Sequence, residues 1–242
     1  MEKSKIKAAL ELFQQAQKIT FLTGAGVSVP SGIPDYRSLT GVYQGLEQPE
    51  YLLSRTCLDE EPTLFYNFVR QLYHPTAKPN SIHLGMKKLE KIKQDVRIVT
   101  QNIDRLHQLA GSTQVVSFHG SLYDCYCMSC GEAVSVADYL SSDQHQLCGG
   151  QLRPEIVLYE EGLDEGVVSE AIEAISQAEL LVIVGTSFKV APFCQLIHYK
   201  KPTCQVIAVN QDPLHLAMPF LMLQEDAVTF FEEVERGGLG KC

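Results

Sequence analysis

Hydrophobic positions along the chain switch repeatedly between helical spacing and short continuous runs. The first segment, MEKSKIKAALELFQQAQK, is charged throughout and carries Ile6, Leu10 and Phe13 on one side, which predicts an amphipathic helix. Ile19, Phe21 and Leu22 then mark a short buried strand that breaks at Thr23-Gly24-Ala25-Gly26, and the turn runs on into Ser31–Arg37, too rich in Gly, Pro and charge to be a packed helix. Residues 40–58 hold Gly41, Gly45 and Pro49, show no sustained period and read as loop. Helical spacing returns over residues 61–73, through Leu64, Phe65, Phe68, Val69 and Leu72. It recurs over 81–93, where Ile82, Leu84, Leu89 and Ile92 are assigned inward and Asn80 or Ser81 to the cap.

Strands are expected at 96–100 and 115–118, and a helix over 164–178, capped by Asp164, with Val167, Val168, Ala171, Ile172 and Ile175 inward. The wholly apolar run Leu180–Val184 reads as a parallel strand buried on both faces. Pro192 opens another helix, 205–209 is the next strand, Ala227–Arg236 the last helix, and 237–242 a frayed end. Helices alternating with short apolar strands predict an α/β fold: a doubly wound, Rossmann-like parallel sheet with right-handed crossovers and a smaller helical, zinc-binding domain. The large part is expected at about 1–36, 91–120 and 154–242, and the small domain at about 37–90 and 121–153.

Composition narrows the class. A hydrophobic content of 45% over 242 residues gives ample core. No apolar run approaches the roughly 20 residues of a membrane span, and the N-terminus has no signal-peptide core. A cytoplasmic protein is the expectation, with a monomer favoured. The formal net charge of −9 argues against a general nucleic-acid binder, which needs a basic field to meet phosphates.

Eight cysteines without a signal sequence, four of them between Cys125 and Cys148, point to reduced thiols and metal. Cys127-Met-Ser-Cys130 and His145-Gln-Leu-Cys148 are two knuckle-spaced pairs with fourteen residues between, the pattern of a tetrahedral structural zinc site. Cys125 competes with His145 for the fourth position. A zinc-ribbon DNA binder is the other reading of these pairs, disfavoured because no Lys or Arg lies between Cys125 and Cys148.

A strand feeding a glycine turn presents free backbone N–H groups to an anion, the basis of pyrophosphate sites. The third glycine of G-x-G-x-x-G is replaced here by Val29, so the turn alone is weak evidence. The longer string GAGVSVPSGIPDYR resembles the sirtuin family's GAG-x-S-x-x-SGIPDFR signature, with Tyr36 where Phe is usual. TQNID-x-LH, from Thr100 to His107, is a second sirtuin signature, in which Arg105 stands where the family often has Gly. By spacing alone, Asn102 and Asp104 fit a helix cap as readily as a site. Phe118-His119-Gly120-Ser121 resembles the family's F-H-G segment, whose histidine is the general base, a role suited to an imidazole near neutral pH. The chain thus resembles a compact, bacterial-type sirtuin over about residues 5–236.

That resemblance implies an NAD-dependent protein-lysine deacylase acting on acyl-lysine proteins or peptides, with no nucleic-acid or membrane partner. Asn102, Asp104 and His119 would be catalytic. The cofactor would meet Gly24, Ala25, Gly26, Val29, Asp35, Tyr36, Arg37, Gln101, Ile103, Gly185, Thr186, Ser187, Asn210 and Ala227 together with the catalytic set. The acyl oxygen would attack C1′ of the nicotinamide ribose, and His119 would take a proton from a ribose hydroxyl. Free lysine and an O-acyl-ADP-ribose would result. Arg153-Pro-Glu-Ile-Val157-Leu-Tyr159-Glu160-Glu161 resembles the family's substrate loop, with which the peptide pairs as an added strand. Val157, Tyr159, Glu160 and Val190 are the substrate candidates. Glu160 replaces the family's Gly, which a side chain tolerates only at negative φ. Family members that prefer succinyl-lysine share a Tyr-x-x-Arg pair. Here Tyr66 and Arg70 lie four apart, and an apolar acyl tunnel lined by residues such as Phe68 and Val157 is expected instead. A mono-ADP-ribosyltransferase using the same pocket and a non-catalytic NAD- or zinc-binding module are the alternatives.

Overall fold

The computed structural model of the protein describes residues 2–35 and 49–236. Helix α1 (Glu2–Gln15) leads into strand β1 (Lys18–Thr23). The glycine turn that follows runs as two short 3₁₀ turns, Ala25–Val27 and Val29–Ser31, and not as a packed helix. Pro30 removes a helical donor, and Gly32 closes the second turn at φ 84°.

Helices α2 (Pro49–Leu52) and α3 (Arg55–Glu60) occupy ground read from sequence as loop, the earlier part of which lies outside the described residues. They are too short to show a period. Ser54 creates α3 by accepting from the Cys57 N–H at 3.0 Å. Helices α4 (Pro62–Gln71) and α5 (Ser81–Glu90), strand β2 (Asp95–Thr100), the single turn α6 (Leu106–Leu109) and β3 (Val115–Ser117) follow. Strand β4 (Gly120–Cys127), β5 (Ala133–Val134), α7 (Val136–Ser141) and β6 (Leu152–Ile156) make up the small sheet and its cover. The chain ends with α8 (Glu165–Gln177), β7 (Leu180–Val184), a 3₁₀ helix Phe193–Tyr199, β8 (Gln205–Asn210), β9 (Leu221–Gln224) and α9 (Ala227–Arg236).

Six parallel strands form the large sheet in the order β3-β2-β1-β7-β8-β9. The strand order reverses between β1 and β7, which pair in register from Ile19/Leu180 to Thr23/Val184. Alternate residues feed two cores. Ile19, Phe21, Ile98, Val182, Val184 and Val209 face α1, α5 and α9. Leu22, Val99, Leu181, Ile183 and Ala208 face α8 and the 3₁₀ helix. Each fully buried Val, Leu, Ile or Phe among these stabilises by about 1.5–3 kcal/mol. A third core joins α2, α3 and α4 to the small sheet, ordered β5-β4-β6, through Leu52, Leu58, Phe65, Phe68, Tyr139 and Leu158. This is a separate small domain. Among the described residues no helix is long and apolar enough to cross a membrane.

On α5 the inward face is Ile82, Met86 and Leu89, with Gly85 against Phe231. Leu84, assigned inward from the sequence, is 44% exposed, because it lies about 200° around the helix from Ile82. Ile92, also assigned inward, is 40% exposed and falls beyond the end of α5. The cap is Asn80, whose side chain accepts from Ile82 N–H at 2.9 Å while His83 Nδ1 accepts from the Asn80 N–H at 3.3 Å.

His83 is wholly buried, its ring 4.7 Å from that of His107, which lies under Thr23. Burial pushes His83 down to about 4, and His107 well below its ordinary value. Both stay neutral in the folded chain while the unfolded chain binds protons from about pH 6.5. The stability they leave intact above that pH is therefore lost as pH falls towards about 4. The melting temperature is expected to drop between pH 7 and 5. His83→Gln, which retains a capping-box acceptor without titrating, is expected to flatten that slope in thermal melts across pH.

Candidate active site

The point of strand reversal between β1 and β7 is where an open α/β sheet opens a crevice beyond its strand ends. Two glycine turns meet there, backbone on backbone. The Gly26 N–H donates to the Gly185 carbonyl at 2.8 Å. A Cβ on Gly26 would lie 2.7 Å from Gly185 Cα, and one on Gly185, which sits at φ +59°, would lie 2.6 Å from the Val27 nitrogen. Only glycine permits this approach. A cleft of ≈ 990 Å³ opens over the turns. Ala25, Gly26, Val29 and Asp35 line it from the first turn, and Gly185, Thr186 and Ser187 from the second. Asn210 and Ala227 line its far end, with Glu225 and Asp226, which sequence reasoning passed over. Gly24 stands behind the lining, packed on Thr186. Tyr36 and Arg37 lie outside the described residues.

Gln101, Asn102, Ile103 and Asp104 leave β2 into the same cleft. Asn102 Nδ2 donates to the Gly24 carbonyl and to Ser28 Oγ, both at 3.0 Å. Ser28 Oγ in turn donates to Asp104 Oδ2 at 2.6 Å, while Asp104 Oδ1 accepts from the Leu106 N–H at 2.8 Å. Asp104 thus holds the turn leading into α6 and lines the cleft at once. Burial pushes its carboxyl above the ordinary range, against the pull of the Ser28 and Leu106 donors. Ser28 was quoted within the first motif without a role; the structure makes it the buried link between Asn102 and Asp104. Gln101 Nε2 is buried without a partner among the described residues, in a residue that lines the cleft, which fits a polar ligand over the strand ends.

His119 enters the cleft from the end of β3. Its Nδ1 lies 3.3 Å from the Gln101 carbonyl, an acceptor only. Nδ1 therefore carries the proton, and Nε2 is left as the basic nitrogen. Burial lowers its pKa, with the Gln101 contact opposing. Gly120 follows at φ +77°, where a Cβ would lie 2.0 Å from the Glu155 carbonyl oxygen. That glycine lets β4 close on β6, and the Val157 N–H then donates to the His119 carbonyl at 3.0 Å.

The substrate candidates Val157, Tyr159, Glu160 and Val190 all line the cleft. Glu160 departs from the expectation of negative φ: it stands at φ 74°. Its Oε2 accepts from the Thr56 N–H at 2.9 Å and from Thr56 Oγ1 at 2.7 Å, which secures the conformation. Phe68, expected in the acyl tunnel, is instead buried in the small-domain core, drawn there by Phe65 and Val69 on the same helix. A second cavity, ≈ 690 Å³, lies across β6; of its charged lining Arg55 and Arg153 pair with Glu161 and Arg105 with Asp124, beside Glu155 and Asp164.

In the small domain Cys127, Cys130, His145 and Cys148 place one donor atom each within 4.8 Å of one another. The Cys127–Cys148 sulfurs are 3.5 Å apart, and His145 Nδ1 lies 3.4 Å from Cys130 Sγ and 3.2 Å from Cys148 Sγ. A tetrahedron around zinc, with Zn–S of about 2.3 Å, has edges of about 3.5–3.8 Å. The set fits a closed structural zinc centre. Cys125 is turned away: its Sγ lies 3.6 Å from the Leu122 carbonyl and 3.6 Å from the Tyr73 hydroxyl.

Fold and site together define a doubly wound α/β protein with a dinucleotide-type crevice and a small domain carrying a four-ligand cluster suited to zinc. The Sir2 family model matches residues 24–192, and the chain belongs to this family. It is 59% identical over 226 residues to an NAD-dependent protein deacetylase of Enterococcus faecalis, covering 93% of this chain and 95% of that one. To the protein of the same name from Listeria monocytogenes (serovar 1/2a) it is 54% identical, over 93% and 98%. A solved structure of Sir2 with a p53 peptide and NAD+ superposes with TM-score 0.85 at 31% identity, covering 97% of this chain and 99% of that one. A Sir2 variant with a deacetylated p53 peptide and 3′-O-acetyl ADP ribose gives 0.88 at 32%, over 97% and 98%.

Elemental analysis is expected to find about one zinc per chain, retained in Cys125→Ser and lost with a fall in melting temperature in His145→Ala. Zinc lost from the Cys125 variant would reassign the fourth ligand.

Proposed function

We propose that the chain is an NAD-dependent protein-lysine deacylase that releases nicotinamide, free lysine and an O-acyl-ADP-ribose. The observation that carries this reading is the convergence, in one cleft, of the two glycine turns, the Asn102–Ser28–Asp104 network, His119 and the substrate loop. When bound, NAD supplies an activated ribose whose C1′ accepts the acyl oxygen as nicotinamide leaves. The glycine turns hold the phosphates, and Asn210 and Ala227 the adenosine end. Gln101, Asn102 and Asp104 orient the nicotinamide ribose. His119 Nε2, unprotonated at neutral pH, takes the ribose hydroxyl proton, while Phe118 and Phe193 exclude water around its ring. Holding two reactants together supplies much of the rate. The acyl-lysine peptide lies against Val157, Tyr159, Glu160 and Val190. Cys127, Cys130, His145 and Cys148 would hold a structural zinc. We take the domain boundaries expected from the sequence with two changes: α5 (Ser81–Glu90) packs on α9 in the large-sheet core and belongs to the large part, and β6 (Leu152–Ile156) pairs with β4 and belongs to the small one. A cytoplasmic place is supported by the cysteines, none of which is disulfide-bonded among the described residues.

Mass spectrometry of an acetyl-peptide with and without NAD tests the function: loss of acetyl supports it, added ADP-ribose favours the transferase, and no change overturns it. His119→Ala is expected to lower kcat by about 10²-fold or more while NAD binding survives, weakened, in calorimetry. In the wild type, activity should fall with decreasing pH only below the ordinary histidine value, since burial moves His119 downward.

The acyl group follows from the small domain. Tyr66 Oη donates to the Tyr139 carbonyl at 2.9 Å, and the exposed Arg70 lies 5.3 Å over the Tyr66 ring. Neither lines the cleft, whose lining there is Ile103, Ile156, Val157 and Leu158; its Lys189 is exposed. A succinyl carboxylate would be buried unpaired at a cost of about 2 kcal/mol or more. kcat/KM for acetyl-peptide is expected to exceed that for the matched succinyl-peptide by about tenfold or more, and Arg70→Ala should leave the ratio unchanged.

A further inference from the structure

The substrate loop carries a residue whose backbone and side chain act in opposite directions. Glu160 sits in the left-handed region, which a side chain disfavours, yet its carboxylate takes both donors of Thr56 in the first turn of α3. The positive end of a helix suits that negative charge. Tyr159, one residue earlier, spends both backbone groups on the small domain: its N–H donates to the Leu53 carbonyl at 2.9 Å, and its carbonyl accepts from the Arg55 N–H at 3.0 Å. Glu160 lines the cleft, and among the described residues its own N–H and C=O have no hydrogen-bond partner.

We propose that Glu160 is a positioning residue for the acyl-lysine peptide: its clamp on Thr56 fixes the loop so that its free N–H and C=O meet the extended backbone of the substrate. This rests on the deacylase reading above. A glycine reaches the same φ without strain but has no carboxylate to reach α3, so loop and small domain would be joined only through Tyr159. With the clamp, the donor and acceptor offered to the peptide are held in place before it arrives. Backbone recognition of this kind is indifferent to the peptide's side chains, so the residue sets affinity for acyl-peptides as a class.

The test is steady-state kinetics on acetyl-peptide with a set of variants of the full chain. Glu160→Ala is expected to raise peptide KM by about tenfold, with kcat and NAD KM each changed less than about twofold, and to speed hydrogen exchange at the Arg55 and Tyr159 amides. Glu160→Gln, which keeps an oxygen acceptor, should recover most of the affinity. Thr56→Val should raise KM in part, and its combination with Glu160→Ala should be no worse than Glu160→Ala alone. Glu160→Gly removes clamp and strain together; it is expected to melt above Glu160→Ala yet share its raised KM, a separation that general destabilisation does not produce. An active wild type whose Glu160→Ala variant matches it in peptide KM overturns the proposal alone. A wild type that leaves the acetyl group in place overturns the deacylase reading and this proposal with it.

Discussion

The contact of Gly26 with Gly185 is the constraint from which the site is assembled. It joins the ends of two adjacent parallel strands without any side chain between them. Both partners are backbone with no side chain to yield, and a Cβ on either would meet main-chain atoms at 2.6–2.7 Å. The first turn is therefore laid flat across the second as 3₁₀ turns, and this places Ser28 beneath Asn102. Asn102 then bonds back to the Gly24 carbonyl, and Asp104 is tied in through Ser28. Asn80 adds a brace from α5, donating to the Val27 carbonyl and to Ser31 Oγ at 2.8 Å each. One wall of the cleft is thus fixed by several short polar contacts around a glycine joint.

The opposite wall is built differently. The loop after β6 belongs to the antiparallel sheet and rests on the small-domain helices through a few polar ties. Arg153, 4% exposed, holds Glu161 at 2.6 and 3.0 Å, and Glu161 also accepts from the Leu158 N–H. Burial pushes the Glu161 carboxyl up, but these donors more than reverse it and leave it below the ordinary range. Breaking such a pair leaves a buried charge uncompensated, a loss of about 3–5 kcal/mol. A rigid wall suits a cofactor of constant shape. A wall held by discrete ties suits peptides of varied sequence, because it presents backbone in a defined place.

Much of this was legible in the sequence. Five strands of the large sheet could be read because parallel strands buried on both faces are continuous apolar runs, as Leu180–Val184 is, whereas the half-buried edge strand β9 was not. The cleft residues could be read because they stand at strand ends in motifs of unusual length. The small sheet was not read. Strand β4 carries a register shift between Ser121 and Cys125 that destroys its alternation, and β6 contains Pro154, tolerated because β6 is an edge strand paired only with β4. Helices α2 and α3 escaped because tertiary contacts and one cap make them, not a period. Spacing paired His145 with Cys148 but left Cys125, close before Cys127, as a competitor. Only the fold, which turns Cys125 towards Tyr73, separates them.

Two departures from the family pattern, Arg105 and Glu160, share one physical problem. Both stand at positive φ, 62° and 74°, where the family has or often has glycine. For a residue with a side chain this basin costs about 1–2 kcal/mol. Arg105 reaches Asp124 at 3.0 Å, but the two are 42% and 46% exposed, and such pairs contribute about 0–1 kcal/mol. That ion pair offsets only part of the strain. The balance comes from the local turn, where Asp104 accepts from the Leu106 N–H and the Leu109 N–H returns to the Arg105 carbonyl at 2.9 Å. Glu160 has no helix following it to share the load. It depends on hydrogen bonds from Thr56 to an ionised acceptor, about 1.5–3 kcal/mol each before solvent competes. Two such bonds are enough to hold the conformation, and one is marginal. The orientation of the substrate loop is therefore coupled to the position of α3, whereas the Arg105 turn is secured within its own segment.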